Sequence, residues 1–219
     1  MGLENYRTLV FDCDGVVLDS NRIKTEAFRL AALPWGEDVA EALVLHHVAN
    51  GGISRYAKFA YLIEELVPRY GKTQIGPSVN EMIATFEKHV RAGLGSCRAA
   101  SGLNKLRQVT EDSRWMIVSG GDQSELRWVF NKRGFDQLFD GGIFGSPDDK
   151  QDILQRETAN GNLQRPGLFL GDSRYDHKAA KSIEIDFVFV SQWTEFSSWR
   201  EYCRLNDLRA VDSPIDLLT

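Results

Sequence analysis

One stretch near the beginning of the chain constrains the fold more than any other. Residues 8–11 (Thr-Leu-Val-Phe) are apolar or β-branched and run directly into Asp12, Asp14 and Gly15. A short run of this kind, ended by acidic residues and glycine, is typical of a buried strand in a parallel sheet covered on both faces. Ligands of such sheets bind outside the carboxyl ends of the strands, which is where Asp12 and Asp14 fall. The stretch therefore predicts polar chemistry at one edge of an α/β sheet.

A single residue separates Asp12 from Asp14, so an extended backbone would direct both carboxylates to one side and turn Cys13 into the core. Two carboxylates aimed at one point repel each other unless a cation or a shared proton relieves them. Mg²⁺ suits this role because it takes carboxylate and phosphate oxygens as ligands. The alternative interpretation is an ordinary Asp-Gly turn after a strand.

The composition excludes several classes of protein. The 219 residues are 42% hydrophobic and 26% charged, which suits one domain with a full core or a core domain with a smaller insertion. The formal charge of -5 argues against a broad nucleic-acid surface, which needs concentrated lysine and arginine. No apolar run approaches the roughly 20 residues of a membrane span, and the first residues resemble neither a signal peptide nor a myristoylation site. We expect a cytoplasmic protein that binds neither nucleic acid nor membranes.

The cysteines are Cys13, Cys97 and Cys203, an odd number at distant positions without C-x-x-C spacing. This pattern indicates neither a disulfide framework nor a zinc site, and it agrees with a reducing compartment.

A long helical segment interrupts the α/β pattern. After Ser20 the hydrophobic period becomes that of a helix and remains so for about seventy residues, with breaks at residues 50–52 and 68–77. We expect residues 21–90 to form an inserted helical-bundle cap domain. The glycine-rich stretch at residues 93–96 would then serve as a hinge.

Helices and strands alternate again from Cys97 onward, which is the signature of βα units. Strands are expected at residues 115–118, 143–144, 168–170 and 187–190. Asp122 and Glu125 should open one helix as a capping pair, Ser146 should cap the next, and the tail should pack on the sheet edge. The expected fold is α/β: a doubly wound, Rossmann-like parallel sheet formed by residues 1–20 and 91–219, with the cap inserted.

Several polar residues follow the predicted strands and should therefore meet at one sheet edge. They are Asp12, Asp14, Ser119, Lys150, Asp172 and Asp176. Four carboxylates against one lysine leave excess negative charge, which one divalent cation and one protonated carboxyl group would balance. The set suits one metal ion and one general acid.

In chain order, the motifs are Asp12-x-Asp14-Gly15, Ser119, Lys150 and residues 171–176 (Gly-Asp-Ser-Arg-Tyr-Asp). Motifs of these types in this order resemble those of the haloacid dehalogenase superfamily. The resemblance covers nearly the whole chain and is strongest to phosphatases with a helical cap, in the phosphoglycolate phosphatase and β-phosphoglucomutase branch.

The resemblance implies a role for each motif residue. Asp12 would be the nucleophile, Asp14 the general acid and base, and Ser119 and Lys150 phosphate binders, with the Gly120 amide beside them. Candidate Mg²⁺ ligands are Asp12, Asp14, Asp172 and Asp176, although Asp176 would alternatively orient Lys150.

The function expected from the resemblance is Mg²⁺-dependent hydrolysis of a small phosphorylated metabolite through an aspartyl-phosphate. Splitting the reaction in this way is useful because phosphate monoesters hydrolyse extremely slowly in water. A phosphomutase and a catalytically silent phosphate-binding regulator are the alternatives. We expect a monomer or a homodimer.

The cap segment Gly52–Lys58 resembles the substrate loop of β-phosphoglucomutase. Arg55 and Lys58 on this segment are candidate substrate-binding residues, with Arg55 expected to contact the leaving group. The alternative is that both side chains merely solvate a cap helix. Lys24 stands where that mutase carries an acid-base histidine, which argues against mutase activity.

Other residues attract a functional interpretation less strongly. His46 and His47 are candidates for facing the substrate from the cap, whereas His177 is expected on a helix surface. Trp115 and Trp128 are expected in the core.

Overall fold

The structure is a computed structural model that describes residues 2–71 and 75–218. Its strands are β1 (Thr8–Phe11), β2 (Arg114–Asp122), β3 (Gly142–Ser146), β4 (Gly167–Gly171), β5 (Asp186–Val190) and β6 (Arg209–Val211). They form one six-stranded parallel sheet in the order β3-β2-β1-β4-β5-β6. The predicted α/β fold is confirmed, and β1 lies at the centre of the sheet.

The segment between β1 and β2 is mainly helical. Its helices are α1 (Asn21–Ala32), α2 (Glu37–Ala49), α3 (Arg55–Tyr61), α4 (Val67–Tyr70) and α5 (Val79–Leu94). A π-helical turn, Leu62–Leu66, joins α3 to α4. We call α1 to α5 the helical block, in which α1 packs against both α2 and α5.

The remaining helices alternate with the strands. They are α6 (Leu103–Val109), α7 (Gln123–Lys132), α8 (Lys150–Ala159), α9 (Arg174–Ser182) and α10 (Trp199–Leu205). Short 3-10 turns occur at Leu3–Asn5, Leu33–Trp35, Asp136–Leu138 and Pro214–Leu218. Within the described ranges, no helix has the length and apolar character needed to cross a membrane.

Alternate residues of β1 reach different cores, which shows that the sheet is covered on both faces. Leu9 and Phe11 belong to a large apolar cluster that also contains residues of the helical block. Val10 belongs to a smaller cluster with residues of α8 and α9. Because side chains of a strand alternate between faces, these two clusters account for the continuous apolar run of β1.

The return from the helical block differs from the expected hinge. Helix α5 begins with a capping box between Ser78 and Glu81 and continues to Leu94, so residue 90 lies inside it. Gly93 is part of the helix, and a Cβ there would lie 2.5 Å from a side-chain carbon of Ile23 on α1. Close packing of α5 on α1 therefore extends past the expected domain boundary.

One prediction about an element end is wrong, and one strand was missed. Ser146 does not cap a helix, because it is the last residue of β3; Asp149 caps α8 instead and accepts hydrogen bonds from the amides of Gln151 and Asp152. Strand β6 was not predicted. It is three residues long and mostly exposed, so it carries no apolar run.

Other predictions about placement can be compared directly. Asp122 caps α7, with its side chain accepting from the Glu125 amide, as expected. Cys13 and Trp115 are buried as predicted. The prediction for Trp128 is wrong: it is 40% exposed and lies beside Lys132 on the surface.

Candidate active site

The loop after β1 places the backbone of Cys13 and Gly15 close to the carboxylates of Asp12 and Asp172. Asp12 is buried, and its Oδ1 accepts a hydrogen bond of 2.7 Å from the Cys13 amide. Gly15 has φ of 78°, and a Cβ at this position would lie 2.1 Å from Asp172 Oδ2 at the end of β4. Only glycine fits here, because it tolerates the left-handed conformation and has no side chain to collide with Asp172.

Three buried carboxylates gather at this edge. Among the described residues, Asp12, Asp172 and Asp176 form a group whose oxygens lie within 4.8 Å of one another. Lys150 Nζ lies 2.9 Å from Asp12 Oδ1 and 2.5 Å from Asp176 Oδ1. One buried ammonium thus contacts two of the three carboxylates, and the arrangement retains excess negative charge.

The excess charge changes the acidity of the carboxyl groups. Burial, with help from the charges of Asp176 and Asp14, raises the pKa of Asp12 to about 7, although Lys150 acts to lower it. The pKa of Asp172 is also raised well above its ordinary value, first by burial and then by Asp12 and Asp176. A divalent cation would offset the free-energy cost of keeping these buried carboxyl groups ionised, so the donor set fits a metal such as Mg²⁺.

Asp176 has both oxygens engaged by this chain. Oδ1 faces Lys150, and Oδ2 accepts from the Ser173 amide at 3.0 Å and the Ser173 hydroxyl at 2.6 Å. These bonds form the capping box that opens α9. Of the two expected roles for Asp176, the contacts favour orienting Lys150.

Asp14 lies apart from the three-carboxylate group. Its Oδ1 accepts from Ser20 Oγ at 2.6 Å, and its Oδ2 lies 2.5 Å from Lys24 Nζ on α1. Burial acts to raise the pKa of Asp14, but Lys24 and Ser20 outweigh it and hold that pKa below its usual value. Asp14, an expected metal ligand, is therefore engaged by the ammonium of Lys24 in this structure.

Asn21 was missed by the sequence reasoning. Its Nδ2 donates to Asp172 Oδ2 at 2.7 Å and to the Trp193 carbonyl at 3.0 Å. Nothing in the local pattern distinguishes Asn21 from an ordinary first residue of a helix. Its role arises from α1 beginning directly beside the site.

The end of β2 supplies Ser119 and Gly120. The pairing register of β2 with β3 shifts between Val118 and Asp122, which is an irregularity typical of sites where backbone is redirected. Ser119 is buried and accepts from the Gly121 amide at 3.1 Å. A Cβ on Gly120 would lie 2.1 Å from the Gly52 carbonyl oxygen. The backbone at the end of β2 therefore lies directly against the backbone of the helical block.

A cavity of about 280 Å³ lies between this sheet edge and the helical block. The polar side chains that line it include Asp12, Asp14, Asp172, Lys24, Arg55 and Lys58. Carboxylates of the sheet edge thus face cations of the helical block across one space.

Arg55 is already neutralised by this chain. It is 3% exposed, its guanidinium lies 2.5 Å from Glu125 Oε1 on α7 and 3.5 Å from Glu87 Oε1 on α5, and it covers the ring of Phe86. The buried pair with Glu125 joins the helical block to the sheet domain. Sequence spacing carries no signal for a pair 70 positions apart.

Buried Lys58 and half-buried His47 form a second pair in the helical block. Lys58 Nζ lies 2.7 Å from His47 Nδ1, and the ring of Phe28 packs near both groups. Burial, and next the charge of Lys24, lower the pKa of Lys58 to about 7. His46 points elsewhere and stacks on Tyr61.

Comparison with known proteins agrees with this architecture. The model of the haloacid dehalogenase-like hydrolase family matches residues 6–184. No curated protein matches the chain.

Solved structures share the fold over nearly the whole chain. A predicted phosphoglycolate phosphatase from Haemophilus somnus 129pt superposes with a TM-score of 0.74 at 16% identity, covering 99% of this chain and 98% of that one. A predicted phosphatase from Clostridium acetobutylicum gives 0.71 at 16% identity, covering 97% and 96%. A haloacid dehalogenase-like family hydrolase from Streptococcus pneumoniae gives 0.67 at 17% identity, covering 98% and 97%.

The family match spans β1 to α9 and so includes the acidic loop, Lys150 and the carboxylates after β4. The resemblance inferred from the motifs is thereby confirmed for the family and for its hydrolase class. This chain is a member of the haloacid dehalogenase-like hydrolase family.

Proposed function

We propose that this hydrolase is a phosphatase, which cleaves a small phosphorylated metabolite through an aspartyl-phosphate and depends on Mg²⁺. The observation that carries the proposal is the position of Lys150 Nζ between Asp12 and Asp176, beside Asp172. A buried carboxylate with a cation at hydrogen-bond distance is suited to attack an anionic phosphoryl group, which otherwise repels it.

The proposed reaction has two steps. A carboxylate oxygen of Asp12 attacks phosphorus, the ester P–O bond breaks, and Asp14 gives a proton to the departing alkoxide from its protonated form, which the contact with Lys24 disfavours. Water then attacks the acyl-phosphate, Asp14 takes a proton from it, and inorganic phosphate leaves with the Asp12 carboxylate restored. The loop between β1 and α1 holds both groups and so supports these roles.

Other residues would hold the phosphoryl group during both steps. The Lys150 ammonium would bind one oxygen, and the Ser119 hydroxyl with the Gly120 amide would bind another. Asp176 keeps Lys150 in place through the 2.5 Å contact. Asp12 and Asp172 would hold the metal ion, with Asp14 and Asp176 as the further candidates.

When bound, Mg²⁺ would supply positive charge that neutralises the phosphoryl oxygens. Asp12 and Asp172 support this cofactor because their pKa values are raised, first by burial and then by the neighbouring carboxylates. Asn21 orients Asp172 and would do so in the loaded site as well.

The helical block would act as the cap expected for residues 21–90. The cavity between it and the sheet edge supports this role, since a small substrate placed there would be shielded from water. The solved structures described as phosphoglycolate phosphatases make phosphoglycolate one sensible member of a substrate panel.

The test is phosphate release from an aryl phosphate and a phosphometabolite panel by the intact protein and by Asp12→Asn. We expect the variant to keep its fold and to lose turnover by several orders of magnitude, because an amide cannot form the acyl-phosphate. Conversion of a sugar phosphate to its isomer without phosphate release would instead identify a mutase. Binding without either reaction would identify a regulator.

A further inference from the structure

The buried cations that line the cavity, and Lys150 next to its lining residue Asp12, differ in how they are neutralised. The pairs with carboxylates are Lys24 with Asp14, Arg55 with Glu125, and Lys150 with Asp12 and Asp176. Lys58 is 2% exposed, yet no carboxylate oxygen of the described residues lies within 4.0 Å of its Nζ. Its nearest polar partner is the His47 ring. Lys58 therefore stands out as a buried amino group that lacks an anion.

His47 supplies orientation and no charge. Its pKa is lowered well below the ordinary value, first by burial and then by Lys58 and Lys24, so the ring is neutral. Neutral Nδ1 can accept one hydrogen bond from Lys58, and the His47 ring packs against the tilted ring of Phe28, with 4.6 Å between the ring centroids. An ammonium has three donors, so Lys58 keeps donors for another partner.

Charging a buried amino group that has no anion beside it is unfavourable, because burial removes hydration that no anion replaces, and the pKa of Lys58 is lowered to about 7 for this reason. The chain tolerates this cost at a position that lines the same cavity as Asp12. A substrate with its phosphoryl group at Asp12 would place its leaving group in the remaining space, whose wall in the helical block includes Lys58. An anion on that leaving group would complete the missing pair.

On the basis of the phosphatase function proposed above, we propose that Lys58, oriented by His47, binds a negatively charged group on the leaving-group part of the substrate. The preferred substrates are then phosphate esters of alcohols that carry a carboxylate or a second phosphate. Lys58 is the specificity-determining residue in this assignment, and His47 is a positioning residue.

The experiment compares three two-carbon phosphate esters: phosphoglycolate, its carboxamide, and the bisphosphate of ethane-1,2-diol. The leaving group of the carboxamide is uncharged, so this ester is called the neutral probe and the other two the charged probes. We expect Lys58→Met to lower kcat/KM about ten- to hundredfold for the charged probe that the enzyme prefers, and to leave the carboxamide within about twofold. The two charged probes distinguish a carboxylate from a phosphate as the bound group. Lys58→Arg should restore part of the loss.

Matched variants separate specificity from stability. Lys88→Met removes an exposed lysine of the same helical block and should change neither class of probe. His47→Leu should raise KM for the charged probe with little change in kcat, and His47→Gln, which keeps an acceptor, should recover KM. Equal losses on charged and neutral probes would overturn the assignment of Lys58, as would no loss on either.

Equilibrium binding keeps the test independent of turnover. In the Asp12→Asn background, phosphoglycolate should bind about tenfold or more tightly than its carboxamide, and adding Lys58→Met should remove this difference. Intact protein that releases no phosphate from any ester would refute the phosphatase function alone. Equal binding of the two probes by Asp12→Asn would refute the role of Lys58 alone.

Discussion

Lys24 of α1 lies 2.5 Å from Asp14 of the loop after β1, and both side chains are largely buried. Removing one partner of a buried pair leaves the other charge uncompensated, whereas removing both avoids that penalty. We expect Lys24→Met to lower the free energy of unfolding by about 3 to 5 kcal/mol, and the double variant with Asp14→Asn to lose less than the sum. Chemical denaturation of the four proteins in the cycle measures this, and strictly additive losses would contradict the pairing.

Asp14 is the proposed acid and base, so Asp14→Asn should act selectively. Good leaving groups such as nitrophenolate need no proton, so the acyl-phosphate should still form from an aryl phosphate. Its hydrolysis should slow by about 10² to 10⁴-fold, which makes the intermediate accumulate. Rapid-quench detection of the phosphorylated protein checks this. Equal loss with alkyl and aryl phosphates would argue against the acid role.

Metal dependence should be strict because three buried carboxylates lie together and one lysine pairs with only two of them. Chelator should abolish phosphate release, Mg²⁺ should restore it, and Ca²⁺ should inhibit because its larger and looser coordination sphere spoils the alignment. Mg²⁺ should also raise the melting temperature, and Asp172→Asn should reduce that shift. Full activity in chelator would refute the dependence.

Arg55 has two testable roles. Its pairing with Glu125 across the helical block and α7 predicts that Arg55→Ala weakens contact between the two and lowers kcat/KM alike for charged and neutral probes. Glu125→Gln should then have a similar effect. If Arg55 instead binds the leaving group of the substrate, as expected from the sequence, Arg55→Ala will lower kcat/KM for the charged probe only. Steady-state kinetics on phosphoglycolate and its carboxamide decides between them.

The pH dependence of selectivity follows from Lys58. Its pKa is lowered to about 7, so the charged form dominates below that pH and is lost as pH rises through it. The groups that act on Lys58 from neighbouring elements are His47, Lys24, Asp14, Lys150 and Glu195. The ratio of kcat/KM for phosphoglycolate over its carboxamide should therefore fall between about pH 6 and pH 9. Titration of the remaining site cancels in this ratio, and a constant ratio would contradict the prediction.

Much of the sheet could be predicted because its signal is local. The apolar run of β1 ends abruptly at Asp12, and the later strands repeat this pattern, so the order of the motifs along one edge followed from the sequence. Strand β6 lacked the signal because an edge strand buries little. Helix α8 begins later than predicted because Ser146 is needed to complete β3, which leaves the capping to Asp149.

The partners within the site could not be predicted, because they depend on how the helical block sits over the sheet. Asn21 meets Asp172 across 151 positions, and Arg55 meets Glu125 across 70. Motif spacing identifies which residues carry charge. It does not say which of these charges are already satisfied by the chain, and that difference separates Arg55 from Lys58.

Helix α1 begins at Asn21, immediately after the residue whose hydroxyl binds Asp14. No linker residue therefore separates Ser20 of the site from the first helix of the helical block. Any tilt of α1 would draw Lys24 away from Asp14 and Asn21 away from Asp172 together. Under the proposed function, the loop after β1 and the helical block would therefore move together, and an open molecule would differ from a closed one in the ion pairs of its site as well as in shape.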